Sequence, residues 1–179
     1  MRHQPKLVGF IRVYLLTALS VLLMSPSAYP QSIPLLANSV LKPYGTAEFR
    51  RFGFLVYEAK LWAGNNPTEP PIALQLTYKR EIAGSKIAEA SVDQMRALGA
   101  DEQRLEVWGT SMRRIFPNVK PGDQIVGIYR PGSAVFLFNN REIGQVNDPE
   151  FARLFFGIWL DPRTSEPKLR ERLLLRDAG

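Results

Sequence analysis

Cysteine is absent from this 179-residue chain, and histidine occurs once, as His3. Without thiols there is no disulfide, no thiol redox pair, no Cys-His dyad and no cysteine to lipidate. With the lone imidazole in the expected leader, the remainder can build neither a Ser-His-Asp triad nor a His/Cys zinc site, and no cofactor is expected. Proton transfer would fall to Asp, Glu, Lys or Tyr, with Arg and backbone N–H groups left to hold an oxyanion.

Acidic residues are also missing from the first 31 positions, which carry Arg2, Lys6 and Arg12, then the apolar run Val13 to Met24, then SPSAYPQ. This is the pattern of a secretory signal. Its 12 apolar residues span about 18 Å as a helix, well short of a ~30 Å bilayer core, so a removed leader is favoured over a transmembrane anchor. Residues 1–31 are therefore expected to be a signal peptide, cleaved between about 28 and 33, and 32–179 a single periplasmic or secreted domain. Removing the three basic residues leaves 20 Lys+Arg against 17 Asp+Glu, a net of +3 instead of +6. Much of the basic excess thus belongs to the leader, and neither nucleic acid nor a membrane span of the mature form is expected.

The rest reads as α+β. Ala47 to Trp62 is rich in aromatic and β-branched residues and predicts one long strand or two meeting near Gly53. Ile72, Leu74, Leu76 and Tyr78 alternate with Ala73, Gln75, Thr77 and Lys79, a strand with one apolar face and a polar face expected to meet solvent or a ligand. Helices are predicted over Lys86 to Leu98 and, capped by Asp101, up to Phe116. Gln124 to Arg130, Ala134 to Asn139 and Glu142 to Val146 form an antiparallel meander. Asp148 then caps a helix with Pro149 at its first position and Phe151, Leu154, Phe155, Ile158 and Trp159 along one face. Asp161-Pro162 ends it, and Lys168 to Leu175 supplies a last short helix.

Several of these segments, in order, resemble the bacterial chalcone isomerase-like family. The features are the PGD turn at Pro121 to Asp123, the Asn139-Asn140 hairpin, the stretch DPEFARLFFGIWLD from Asp148, and the Leu-rich tail. Upstream, FGFLVYEAKLW at Phe52 to Trp62 and LQLTYKREIAGSKIAEASVDQMRALG complete the match, which covers about Gly45 to Leu175. The resemblance implies an antiparallel β-sheet with helices packed on one face, an open-faced β-sandwich with a cleft between the layers.

Plant chalcone isomerases use an arginine to steady the attacking phenolate, a threonine and a tyrosine to hold a water against the ketone, and an asparagine at a distal hydroxyl. Carried over by resemblance, Arg50 or equally Arg51 stands at the arginine, Tyr57 at the threonine, Ile87 at the tyrosine and Gln94 at the asparagine. Three of four positions differ, and Ile87 removes a hydroxyl donor. Fatty-acid-binding relatives on the same fold suggest a non-catalytic protein whose Arg50 or Arg51 pairs with the carboxylate of a small amphiphilic ligand, with Tyr57, Leu76, Tyr78 and Trp108 lining the cleft. The competing readings are a chalcone-to-flavanone isomerase using the arginine, Arg50 in the first instance, and a protein-interaction module with a filled cleft. Adjacent strand residues point to opposite faces, so only one of the two arginines can face the cleft. Phe151, Phe155 and Trp159 read as core, Trp108 as core first and a cleft wall second, Glu89 and Asp93 as a polar helix face, Asp123 as a turn residue and Lys79 as a solvated lysine.

Overall fold

A computed structural model describes residues 41–175. The expected leader, its cleavage positions and the first residues of the domain lie outside the described residues. Six strands form one sheet in the order β1-β2-β3-β4-β5-β6, every neighbour antiparallel. The strands are β1 (Lys42–Arg51), β2 (Phe54–Ala63), β3 (Ile72–Tyr78), β4 (Gln124–Arg130), β5 (Ser133–Phe138) and β6 (Arg141–Val146). Helices α1 (Gly84–Ala97) and α2 (Glu102–Ile115) are inserted between β3 and β4, and α3 (Pro149–Leu160) and α4 (Pro167–Leu174) follow β6. This is the α+β architecture expected from the sequence.

The ambiguous run from Ala47 to Trp62 is two strands. Phe52 (φ 50°) and Gly53 (φ 83°) turn the chain between the paired residues Arg51 and Phe54. Two consecutive positive φ values in a two-residue connection match the right-handed twist of the flanking strands. Glycine suits that geometry and phenylalanine does not. A bulge follows, with Phe49 opposite Tyr57 but Arg50 opposite Leu55, so that Val56 is the extra residue.

The helices cover one face of the sheet. Alternation along each strand sends Ala59 and Leu61, Ile72 and Leu74, Ile125, and Ala134 and Phe136 into a core shared with α1 to α4. Phe136, Phe151, Phe155 and Phe156 form its aromatic centre with edge-on and stacked rings, their centroids 5.0 to 6.3 Å apart. The stripe on α3 is core, as its spacing indicates. Ala73, Val126, Ile128, Val135 and Leu137 bury a second cluster on the opposite face, with Leu41 and Trp62 against it.

Two helix starts follow the sequence closely. Asp101 accepts from the N–H groups of Gln103 and Arg104, and Asp148 from those of Glu150 and Phe151. The start of α1 does not, because its N-cap Ala83 has no side-chain acceptor. Asn118, from the segment after α2, accepts the Gly84 N–H at 2.9 Å instead. Gly84 is needed there, since a Cβ would collide with the Phe116 carbonyl oxygen.

Candidate functional site

The sheet and helices do not close completely on one another. Between the ends of β1, β2 and β3 on one side and α1, α3 and the α3–α4 connection on the other lies a cavity of about 530 Å³. That is the size range of small-molecule sites, and the cleft is not filled by the protein's own side chains. Its deep wall is apolar, built from Leu76, Ile87, Phe116, Ile125, Phe155 and Ile158.

Strand parity decides which arginine enters. Ala47 and Phe49 face the helix layer, so Arg51 follows them and lines the cavity. Arg50 points the other way and is excluded from the site. Its guanidinium is exposed and makes two bonds to Glu48 Oε2, at 2.8 and 3.0 Å. Arg51 has no carboxylate partner among the described residues; its guanidinium lies 5.5 Å from the Phe52 ring centroid. Arg80 lines the same edge and lies 4.4 Å over the Phe54 ring, also without an ion-pair partner among the described residues. Glu166, at the start of α4, lines the cavity too, as do Glu81, Asp93 and the ion pair Lys86–Glu89.

Tyr57, Tyr78, Ile87 and Gln94 all line this one cavity. The Trp159 indole donates to the Tyr57 hydroxyl at 3.0 Å, and Phe49 stacks on the Tyr57 ring at 4.9 Å. The rings of Tyr57 and Tyr78 meet edge-on at 6.1 Å. Tyr78 is only 3% exposed, yet its hydroxyl has no hydrogen-bond partner among the described residues. Among those residues no enclosed side-chain nitrogen or oxygen is left unpaired, so this hydroxyl meets the open space of the cavity. Burial pushes both phenols well above their ordinary pKa, with the Glu166 charge adding to Tyr57 and the neighbouring Tyr57 to Tyr78. They are neutral donors across the physiological range. Gln94 accepts from Ser165 Oγ at 2.8 Å, which ties α1 to the α3–α4 connection at the rim.

Trp108 is core, the first of its two readings, and not a cavity wall: it is 2% exposed, packs edge-on to Phe151 and donates its indole N–H to Asp148 Oδ2 at 3.0 Å, pinning α2 to the start of α3. On β3, Leu76 and Tyr78 of the apolar face line the cavity, Gln75 and Thr77 of the other face are partly exposed, and Ala73 is buried in the second cluster. Lys79 is half-buried and pairs with Glu58 at 3.0 Å instead of standing free in solvent. Sequence reasoning missed Arg80, Trp159 and Glu166. Arg80 shares the parity of Leu76 and Tyr78 and was within reach of that argument. Trp159 was assigned to core, and it serves both core and cavity because α3 spans their boundary.

Residues 36–175 match the family model described as chalcone isomerase-like. The chain belongs to the chalcone isomerase-like family. This chalcone isomerase-like protein is 28% identical over 136 residues to an uncharacterized protein of Haemophilus influenzae, a match covering 74% of this chain and 67% of that protein. Its fold is similar to the crystal structure of an Arabidopsis thaliana fatty-acid binding protein, with a TM-score of 0.60 and 13% identity. That likeness covers 82% of this chain and 90% of the other. Of the residues singled out by resemblance, Arg51, Tyr57, Ile87 and Gln94 line one cavity and Arg50 does not. Among the described residues, no group of three or more Asp, Glu, His or Cys is placed to hold a metal ion, and no helix is long and apolar enough to cross a membrane.

Proposed function

We propose that this protein is an exported, non-catalytic binder of a fatty-acid-like amphiphile, held between the sheet and the helix layer with its carboxylate at Arg51 and Arg80. The observation that carries the reading is a guanidinium without an ion-pair partner among the described residues, Arg51, lining a cavity that has an apolar wall and also offers the free hydroxyl of Tyr78. Guanidinium presents paired donors that fit a carboxylate, while the wall of Leu76, Ile125, Phe155 and Ile158 takes a chain. The fold shared with a fatty-acid binding protein supports the same class of ligand. Export is supported by the leader pattern of residues 1–31.

Isomerisation is disfavoured by the chemistry of the same walls. Ile87 offers no hydroxyl, and the oxygen of Tyr57 already accepts from Trp159. Native mass spectrometry of purified protein, with solvent extraction of bound small molecules, tests the proposal. A co-purifying long-chain carboxylate that is retained by Arg50→Ala and lost by Arg51→Ala is the expected result. Empty protein that converts chalcone above the uncatalysed rate overturns it in favour of an isomerase, and empty, inactive protein overturns it in favour of an interaction module.

A further inference from the structure

The β1–β2 hairpin ends in an unusual surface. Phe52 is 88% exposed and Phe54 is 59% exposed, two large apolar side chains two residues apart at the β1–β2 turn. Phe52 occupies a positive-φ position (φ 50°) where glycine or asparagine sits with less strain, and its ring gains no core contact in return. The two rings carry the guanidinium groups of Arg51 and Arg80 at 5.5 and 4.4 Å, and neither cation has a carboxylate partner among the described residues. Arg51 and Arg80 also line the cavity, so the tip adjoins it, while the carboxylates of Glu81, Glu89, Asp93 and Glu166 lie elsewhere in its lining and not on the tip.

We propose that this tip docks on a bilayer surface carrying anionic headgroups. Aromatic rings favour the boundary between headgroups and acyl chains, and arginine stems lie along apolar surface while the charged end reaches phosphate. Cations beside an anionic leaflet gain attraction that falls off within a Debye length. The charge argues for a lipid surface over a protein groove: two unpaired guanidinium groups flank the rings on a protruding turn, whereas an apolar protein pocket would leave them desolvated without partners. The docking stands apart from the ligand reading, since it requires only the tip.

The absence of cysteine makes the test direct. Single Phe54→Cys and Glu69→Cys variants are labelled with an environment-sensitive fluorophore; Glu69 is exposed in the β2–β3 connection, at the other end of the strands. They are mixed with vesicles of phosphatidylcholine, alone or with roughly a quarter phosphatidylglycerol. Position 54 is expected to brighten and shift to the blue on the anionic vesicles, and position 69 to stay unchanged. In co-sedimentation of unlabelled protein, Phe52→Ser/Phe54→Ser is expected to weaken partitioning about tenfold or more. Arg51→Gln/Arg80→Gln is expected to weaken it on anionic vesicles alone. All variants share the same N-terminal residues, so any contribution from that segment cancels, and the substitutions are on exposed side chains that leave thermal unfolding in place. Equal responses at positions 54 and 69, or sedimentation indifferent to the two phenylalanines, overturn the proposal. So does a response at position 54 that grows with protein concentration in buffer alone, which would mean that a second copy covers the tip.

Discussion

Replacing Asp148 by asparagine preserves shape and is nevertheless expected to be costly. Asp148 uses both carboxylate oxygens as acceptors. Oδ1 takes the N–H groups of Glu150 (2.8 Å) and Phe151 (3.1 Å), capping α3, and Oδ2 takes the Trp108 indole N–H at 3.0 Å. An amide has one oxygen, so whichever way the substituted side chain turns, an NH₂ group faces a donor. If the cap is kept, the indole of Trp108 is left unsatisfied in the core, which costs about 1–3 kcal/mol. If the indole is kept, the cap is lost, at about 0.5–2 kcal/mol. At roughly 2–4 °C per kcal/mol for a protein of this size, the melting temperature falls by about 2–12 °C in the first case and about 1–8 °C in the second. A double-mutant cycle with Trp108→Phe isolates the indole bond, because phenylalanine removes the donor. Asp148→Asn is expected to cost at least about 1 kcal/mol with Trp108 present and under about 0.5 kcal/mol in the Trp108→Phe background, by urea denaturation. Equal costs in the two backgrounds would refute the reasoning. The carboxylate also predicts a pH signature. Burial alone would raise its pKa, but the bonds from Phe151, Trp108 and Glu150 and the charge of Arg104 outweigh burial and hold it below the ordinary value. A depressed folded-state pKa contributes stability above the unfolded value, lost as pH falls through the folded one; wild-type protein should lose this increment on acidification and Asp148→Asn should not.

Arg51→Ala is expected to weaken retention of a long-chain carboxylate about 10- to 150-fold in a fluorescent-displacement titration, the value of a charge-assisted hydrogen bond, while Arg50→Ala leaves it unchanged and costs at most about 1 kcal/mol of stability. Stability should fall in alkali: Tyr57 and Tyr78 have folded-state pKa values raised above that of the unfolded chain, so their contribution is complete below about pH 10 and is lost as pH rises through the folded values. Tyr78→Phe should flatten that alkaline loss in thermal melts monitored against pH. Gly84→Ala should destabilise the fold by about 1–3 kcal/mol in chemical denaturation, because its Cβ meets the backbone oxygen of Phe116 and not a side chain that can move aside.

The elements were legible in the sequence wherever their cause is local. Alternation over Ile72–Tyr78, the caps Asp101 and Asp148, and Pro149 with the apolar stripe behind it each act within a few residues, so β3, α2 and α3 are readable from local sequence. The ordered motifs from Gly45 to Leu175 also disclosed the family and hence the layer on which a cleft would lie. The start of α1 was not legible, because its acceptor, Asn118, comes from 34 residues away.

The site depended more heavily on assembly. Sequence narrowed the cavity cation to Arg50 or Arg51, and register with Ala47 and Phe49 chose Arg51 because neighbouring strand residues face opposite ways. Tyr57, Tyr78, Ile87 and Gln94 could be named singly, but their meeting in one space required β2, β3 and α1 to be packed at fixed distances. The apolar spacing placed Trp108 in the core but could not say against what it packs; its partner Asp148 is 40 residues away. Local patterning thus determined which segments become strands and helices and which face each one buries. Only the packing of the helix layer on the sheet decided which buried groups find partners and which, like the hydroxyl of Tyr78, are left facing an open cavity.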